Sequence, residues 1–144
     1  MASFSVSGID ELQAAFGRIG EIPWSVTEEA LNGMAEVAAA KVKAQGMAMG
    51  VRDPDSSVHI LDTIKPVKAK EDKSGGHQDT TFSGKRTRHG KQIRNAEIAF
   101  INEFGKTGQP ARPFIGTGMA KNEEAITDPG AKVIGDWIEN EFQR

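Results

Sequence analysis

The chain contains no cysteine among its 144 residues. Disulfide bridges, thiolate metal sites and cysteine nucleophiles are therefore excluded, and the composition suits a protein made in a reducing cytoplasm. No apolar run approaches the roughly 20 residues that span a bilayer, so no membrane association is expected. The opening Met1-Ala2-Ser3-Phe4 lacks a basic region followed by an apolar core, and no secretory signal is expected. A strong charge of one sign is missing too. The net charge is −2, which argues against a uniformly basic nucleic-acid binder. No serine stands in a nucleophile-elbow context, and no glycine pattern matches a phosphate-binding loop. The chain reads as a non-enzyme with no cofactor.

What is present is ordinary for a folded domain. Hydrophobic residues make up 38% and charged residues 26%, too apolar for full disorder. The length fits a single domain over 1–144 with one core. Phe4 and Val6 alternate with serines and predict a short strand. Ile9, Leu12, Phe16 and Ile19 recur at helical spacing and predict a helix over about Ile9 to Arg18, ended by Gly20 and Pro23. Ser25-Val26-Thr27-Glu28 matches a capping box. It opens a predicted helix reaching about Met47, with Val26, Ala30, Met34, Val37, Ala38 and Val42 on one face. His59 to Val67 predicts a turn of helix leading into a strand. Glu97 to Asn102, with Ile98, Phe100 and Ile101, predicts a strand. Asp128-Pro129 predicts a helix restart, after which Val133, Ile134, Trp137, Ile138 and Phe142 give a final helix an apolar face. The expected fold is α+β: a small, mostly antiparallel sheet packed with the long helix and the C-terminal helix.

Charge is unevenly spread. Nine of the eighteen Lys and Arg residues lie between Lys65 and Arg94, opposed there only by Glu71, Asp72 and Asp79. This fifth of the chain is cationic and the remainder anionic. The polar stretch from about 68 to 95 is expected to project as a loop or extended hairpin. Its cations Lys85, Arg86, Arg88, Lys91 and Arg94 have three readings: a solvated hairpin tip, a contact with an acidic partner protein, or proximity to DNA. Two metal readings are weaker. Asp55 followed by Glu71-Asp72-Lys73 has the residue order of a metal-dependent nuclease, but no strand body follows the acid. His77, Asp79 and His89 sit among cations that would repel a metal.

The stretch "IAFINEFGKTGQPARPF", Ile98 to Phe114, carries the one specific motif. It resembles the signature of the gene-10-like neck or tail-completion proteins of long-tailed phages and prophages. In that family an apolar strand runs into Glu-Phe-Gly, a variable loop follows, and an Ala-Arg-Pro-Phe corner opens the C-terminal helix. Glu103, Phe104 and Gly105 match the acid turn, and Ala111, Arg112, Pro113 and Phe114 match the corner. "GIDEL" (Gly8 to Leu12) and "LDTIKPV" (Leu61 to Val67) fall in similar order. Lys106 departs from the usual threonine, the basic insertion is longer, and Asp128-Pro129 interrupts a helix that is commonly continuous. The resemblance implies a structural virion protein at the head–tail junction, assembled in the bacterial cytoplasm. It implies a homo-oligomeric ring, expected as a hexamer, with other phage connector and tail proteins as partners and DNA in its lumen. A tail terminator and a small DNA-binding accessory protein are the alternatives.

From the residues themselves, Gly105 permits a positive-φ turn. Phe104 and Phe114 suit closing a sheet edge against a helix base, and Pro113 suits starting a helix. Glu103 and Arg112 are placed to pair across the loop. The motif is then either a structural corner or a direct contact with another subunit.

Overall fold

The computed structural model describes residues 14, 16–18, 20–53, 57–73 and 75–144. The strand expected at Phe4 and Val6, most of the first helix, and Asp55 lie outside these residues, although Phe16 to Arg18 are helical. The fold is α+β. A long helix α1 (Trp24–Ala48) is followed by a 3₁₀ turn (Ile60–Thr63), β1 (Ile64–Pro66), β2 (Thr80–Phe82), β3 (Lys85–Arg88) and β4 (Lys91–Arg94). Three helices complete the chain: α2 (Asn95–Phe104), α3 (Phe114–Lys121) and α4 (Glu123–Phe142). Strands β1 and β2 form one antiparallel pair and β3 and β4 another.

Helix α1 buries Ala30, Ala35, Ala38, Val42 and Gly46. These recur every three to five positions, the stripe of an amphipathic helix. The expected capping box does not form. Pro23, extended at φ −60° and ψ 144°, is itself the N-cap, and its carbonyl accepts from Val26 and Thr27 N–H. Ser25 therefore lies inside the first turn, where its side chain is not at the capping position.

Residues 95–104, expected as a strand over 97–102, are helical. Ile98, Ala99 and Asn102 fall on one helical face and are buried, so the branched residues that looked strand-like instead follow a 3.6-residue period. The predicted break at Asp128 is also absent. Helix α4 runs through Pro129, and the chain bends earlier, at Asn122 (φ −122°, ψ 21°). There the Asn122 amide donates to the Gly118 carbonyl. Pro129 and Gly130 face α1 closely: a Cβ on Gly33 would stand 3.1 Å from Pro129 Cβ. Packing along α1 thus outweighs the one backbone hydrogen bond that proline removes. The turn-then-strand expectation at 59–67 matches the 3₁₀ turn and β1.

The core joins Val42, Val51, Ile60, Leu61, Ile98, Ala99 and Phe114. Gly46 lets it close, since a Cβ there would come 2.5 Å from Leu61 Cδ2 and 3.0 Å from Phe114 Cδ2. Among the described residues no helix is long and apolar enough to cross a membrane.

Candidate functional site

The motif residues do form a corner, though not with the expected pairing. Glu103 gives both carboxylate oxygens to the start of α3. Oε2 accepts from Ile115 N–H at 2.7 Å and Oε1 from Gly116 N–H at 3.0 Å. These are donors that a helix N-terminus leaves unpaired, and a negative group there also suits the helix dipole. Glu103 therefore does not pair with Arg112. The Arg112 amide donates to the Asn102 carbonyl and its own carbonyl accepts from Phe114 N–H at 2.7 Å. Pro113 between them has φ −74° and ψ 65°, an inverse γ-turn. Pro113 is thus the N-cap of α3 rather than its first residue. Arg112 Nη1 is buried without a hydrogen-bond partner.

Gly105 ends α2 at φ 76° and ψ 175°, a region open essentially to glycine alone. The positive-φ turn expected there is present, after a helix rather than a strand. Phe114 is 0% exposed and meets Phe82 edge-on at 5.8 Å between ring centroids. Phe104 does not close the core: it is 66% exposed and lies 4.6 Å from the Phe100 ring.

Asn102 is a residue that sequence reasoning missed. It is 1% exposed; its Oδ1 accepts from Arg52 N–H, and its Nδ2 donates to the Arg52 and Ile98 carbonyls. One side chain thus ties the segment after α1 to the corner. The signal was a lone amide inside "IAFIN". Asn95 acts similarly, donating to the Ser83 carbonyl while accepting from Arg86 Nε.

The β3–β4 hairpin turns through His89 and Gly90, both at positive φ, the conformation of a two-residue hairpin turn. Its register pairs Arg86 with Ile93 and Lys85 with Arg94. Strand alternation sends Arg86 inward with Ile93 and leaves Lys85 and Arg94 outside. Arg86 is consequently not an outward contact. Its Nη1 lies 2.6 Å from Asp53 Oδ2, with the two side chains 15% and 3% exposed, and its Nη2 donates to the Val58 carbonyl. Arg88 is half-buried, Lys85 and Lys91 are exposed, and Arg94 pairs with Glu97.

Two surface features adjoin on α2. A cleft of about 150 Å³ gathers Arg52, Arg88 and Lys106 beside Asn102 and Gln109. A shallower one runs along Arg94, Glu97 and Phe100, and Ile101 lines both. Elsewhere, the His77 ring bonds Asp72 at 2.7 Å, and His59 Nδ1 accepts from Leu61 N–H at the 3₁₀ turn. Among the described residues no group of three or more His, Asp or Glu is placed to hold a metal ion. A hydrogen bond from Lys43 holds the Asp62 carboxyl below its usual pKa. Asp136 likewise holds the Lys132 ammonium above its usual value. Neither pair touches the corner.

Comparison of the chain with protein-family models, with curated proteins and with solved structures finds no match.

Proposed function

We propose that the chain is a structural subunit of a phage head–tail connector, a neck or tail-completion protein that acts as a closed ring around the DNA passage. The carrying observation is the division of labour within one motif. Glu103, Gly105, Pro113 and Phe114 build a fixed corner, while Phe104 of the same motif stands in solvent against Phe100. Exposed apolar rings held side by side suit a contact surface. The resemblance of Glu103 to Gly105 and Ala111 to Phe114 to the gene-10-like signature supplies the direction.

Deleting the gene from the phage or prophage that carries it tests the reading. Filled heads and separate tails are expected by electron microscopy; joined, complete particles would overturn it. Tails of uncontrolled length would favour a terminator instead. The cluster of Arg52, Arg88 and Lys106 favours a second reading, a small DNA-binding accessory protein. That reading requires duplex affinity which falls steeply as salt rises.

A further inference from the structure

We infer that copies of this chain join head to tail, the outer face of α2 in one copy seating on the groove between α1, β1–β2 and α3 of the next. The inference deepens the assembly reading above and rests on it. Four observations carry it. Phe100 and Phe104, one helical turn apart, are 62% and 66% exposed. They project from the side of α2 opposite to the buried Ile98, Ala99 and Asn102. A groove of about 330 Å³ lies elsewhere, lined by Leu31, Met34, Ala35, Ile64, Phe82 and Met119 among others. No residue of α2 lines that groove, so the aromatic pair is positioned to fill it only in another molecule.

The groove also holds a polar side chain. Gln78 lines it, and its Nε2 is committed to the Val67 carbonyl at 2.8 Å and to Asn32 Oδ1 at 2.9 Å. Its Oε1 is left buried without a partner. Charge points the same way. Lys106 and Arg94, the latter paired with Glu97, adjoin the aromatic face, whereas the groove is bordered by Asp79 and by α4 at Ile126. Helix α4 carries six carboxylates against the single Lys132. Opposite fields on two faces of one chain steer unlike faces together. A contact between unlike faces closes into a ring when the rotation permits.

Sedimentation velocity on three proteins tests this. Wild type is expected to form a discrete oligomer. Phe100→Ser/Phe104→Ser, which loses the projecting face, and Met119→Glu, which charges the groove mouth, are each expected to sediment as the 15.5 kDa monomer. All three substitutions fall at exposed side chains, and circular dichroism verifies the fold. Mixing the two variants is the decisive step, because each keeps one intact face. A 1:1 dimer that grows no further is expected. A monomeric wild type, variants that still form the oligomer, or a mixture that stays monomeric would each overturn the inference. A labelled oligothymidylate is the companion probe. Binding that is lost only in Phe100→Ser/Phe104→Ser, with no self-association of wild type, would assign the aromatics to single-stranded nucleic acid instead. The particle phenotype is read separately, so failure of the connector reading and failure of this interface are distinguishable.

Discussion

The two ends of the 105–113 loop carry the same side chain in opposite settings. Phe104 closes α2 in solvent, 66% exposed, whereas Phe114 opens α3 in the core at 0%. Residue type does not separate them; helical phase does. Phe104 lies across α2 from Ile98 and Asn102, while Phe114 enters between Phe82 and the Gly46 gap of α1. The inner end of the motif therefore sets the fold, and the outer end stays in solvent. Phe114→Ala is expected to lower unfolding free energy by about 3–5 kcal/mol, the range for a buried aromatic truncation. Phe104→Ala should stay within about 0.5 kcal/mol, as surface changes do. Urea unfolding of both variants measures this directly, and equal losses would erase the distinction.

The basic hairpin repeats the contrast between adjacent residues. Arg86 reaches Asp53, Asn95 and the Val58 carbonyl, while Lys85 beside it is exposed. Removing Arg86 would strand the Asp53 carboxylate, which also accepts from Ile60 N–H at 2.7 Å. Breaking a buried pair in this way costs about 3–5 kcal/mol. Arg86→Ala should approach that loss in denaturant titration, and Lys85→Ala should barely move the midpoint. Similar midpoints for the two would mean that the hairpin is solvated on both faces.

Gly105 joins the two ends of the motif and sharpens the first contrast. A Cβ there would stand 2.8 Å from Ala111 N and 2.9 Å from the Gln109 carbonyl oxygen. These are backbone atoms that cannot rotate aside, and the φ of 76° is itself unfavourable for other residues. Gly105→Ala is expected to cost about 1–3 kcal/mol, and a thermal melt indistinguishable from wild type would count against a rigid corner.

Much of the frame was readable from periodicity. The long helix and the turn leading into β1 follow from spacing of apolar residues that packing did not need to override, whereas the expected C-terminal apolar face is only half-buried at Val133, Ile134, Trp137 and Ile138 and exposed at Phe142. The failures share a cause, which is tertiary contact. Ile98 to Asn102 carries strand-forming residues, yet burial of Asn102 against the Arg52 backbone selects a helix. Asp128-Pro129 has a helix-start pattern, yet contact with α1 at Gly33 carries α4 through it. The Glu103–Arg112 pairing rests on charge and loop ends alone. Two free N–H groups at a helix start, invisible in sequence, take the carboxylate instead. Likewise the charge of the hairpin was legible, but which cations face inward depends on strand register.

The smallest expected effect comes from an ion pair that resembles Arg86–Asp53 in distance but not in setting. Lys43 Nζ lies 2.8 Å from Asp62 Oδ1, with the side chains 44% and 54% exposed, against 2.6 Å and near-complete burial for the hairpin pair. Hydrogen bonding and attraction from Lys43 hold the Asp62 pKa below 3.8. A carboxylate whose folded pKa is depressed adds stability above its unfolded pKa, and that share is lost as pH falls through the folded value. Asp62→Asn should therefore leave neutral-pH stability nearly unchanged, because water screens an exposed pair. Below about pH 4, where unfolded aspartate is mostly protonated, wild type should lose slightly more stability than the variant. Acid titration of the two by circular dichroism reads the difference. A large neutral-pH loss in Asp62→Asn would show that distance, rather than burial, governs both pairs, and the inward–outward contrast of the hairpin would lose its physical basis.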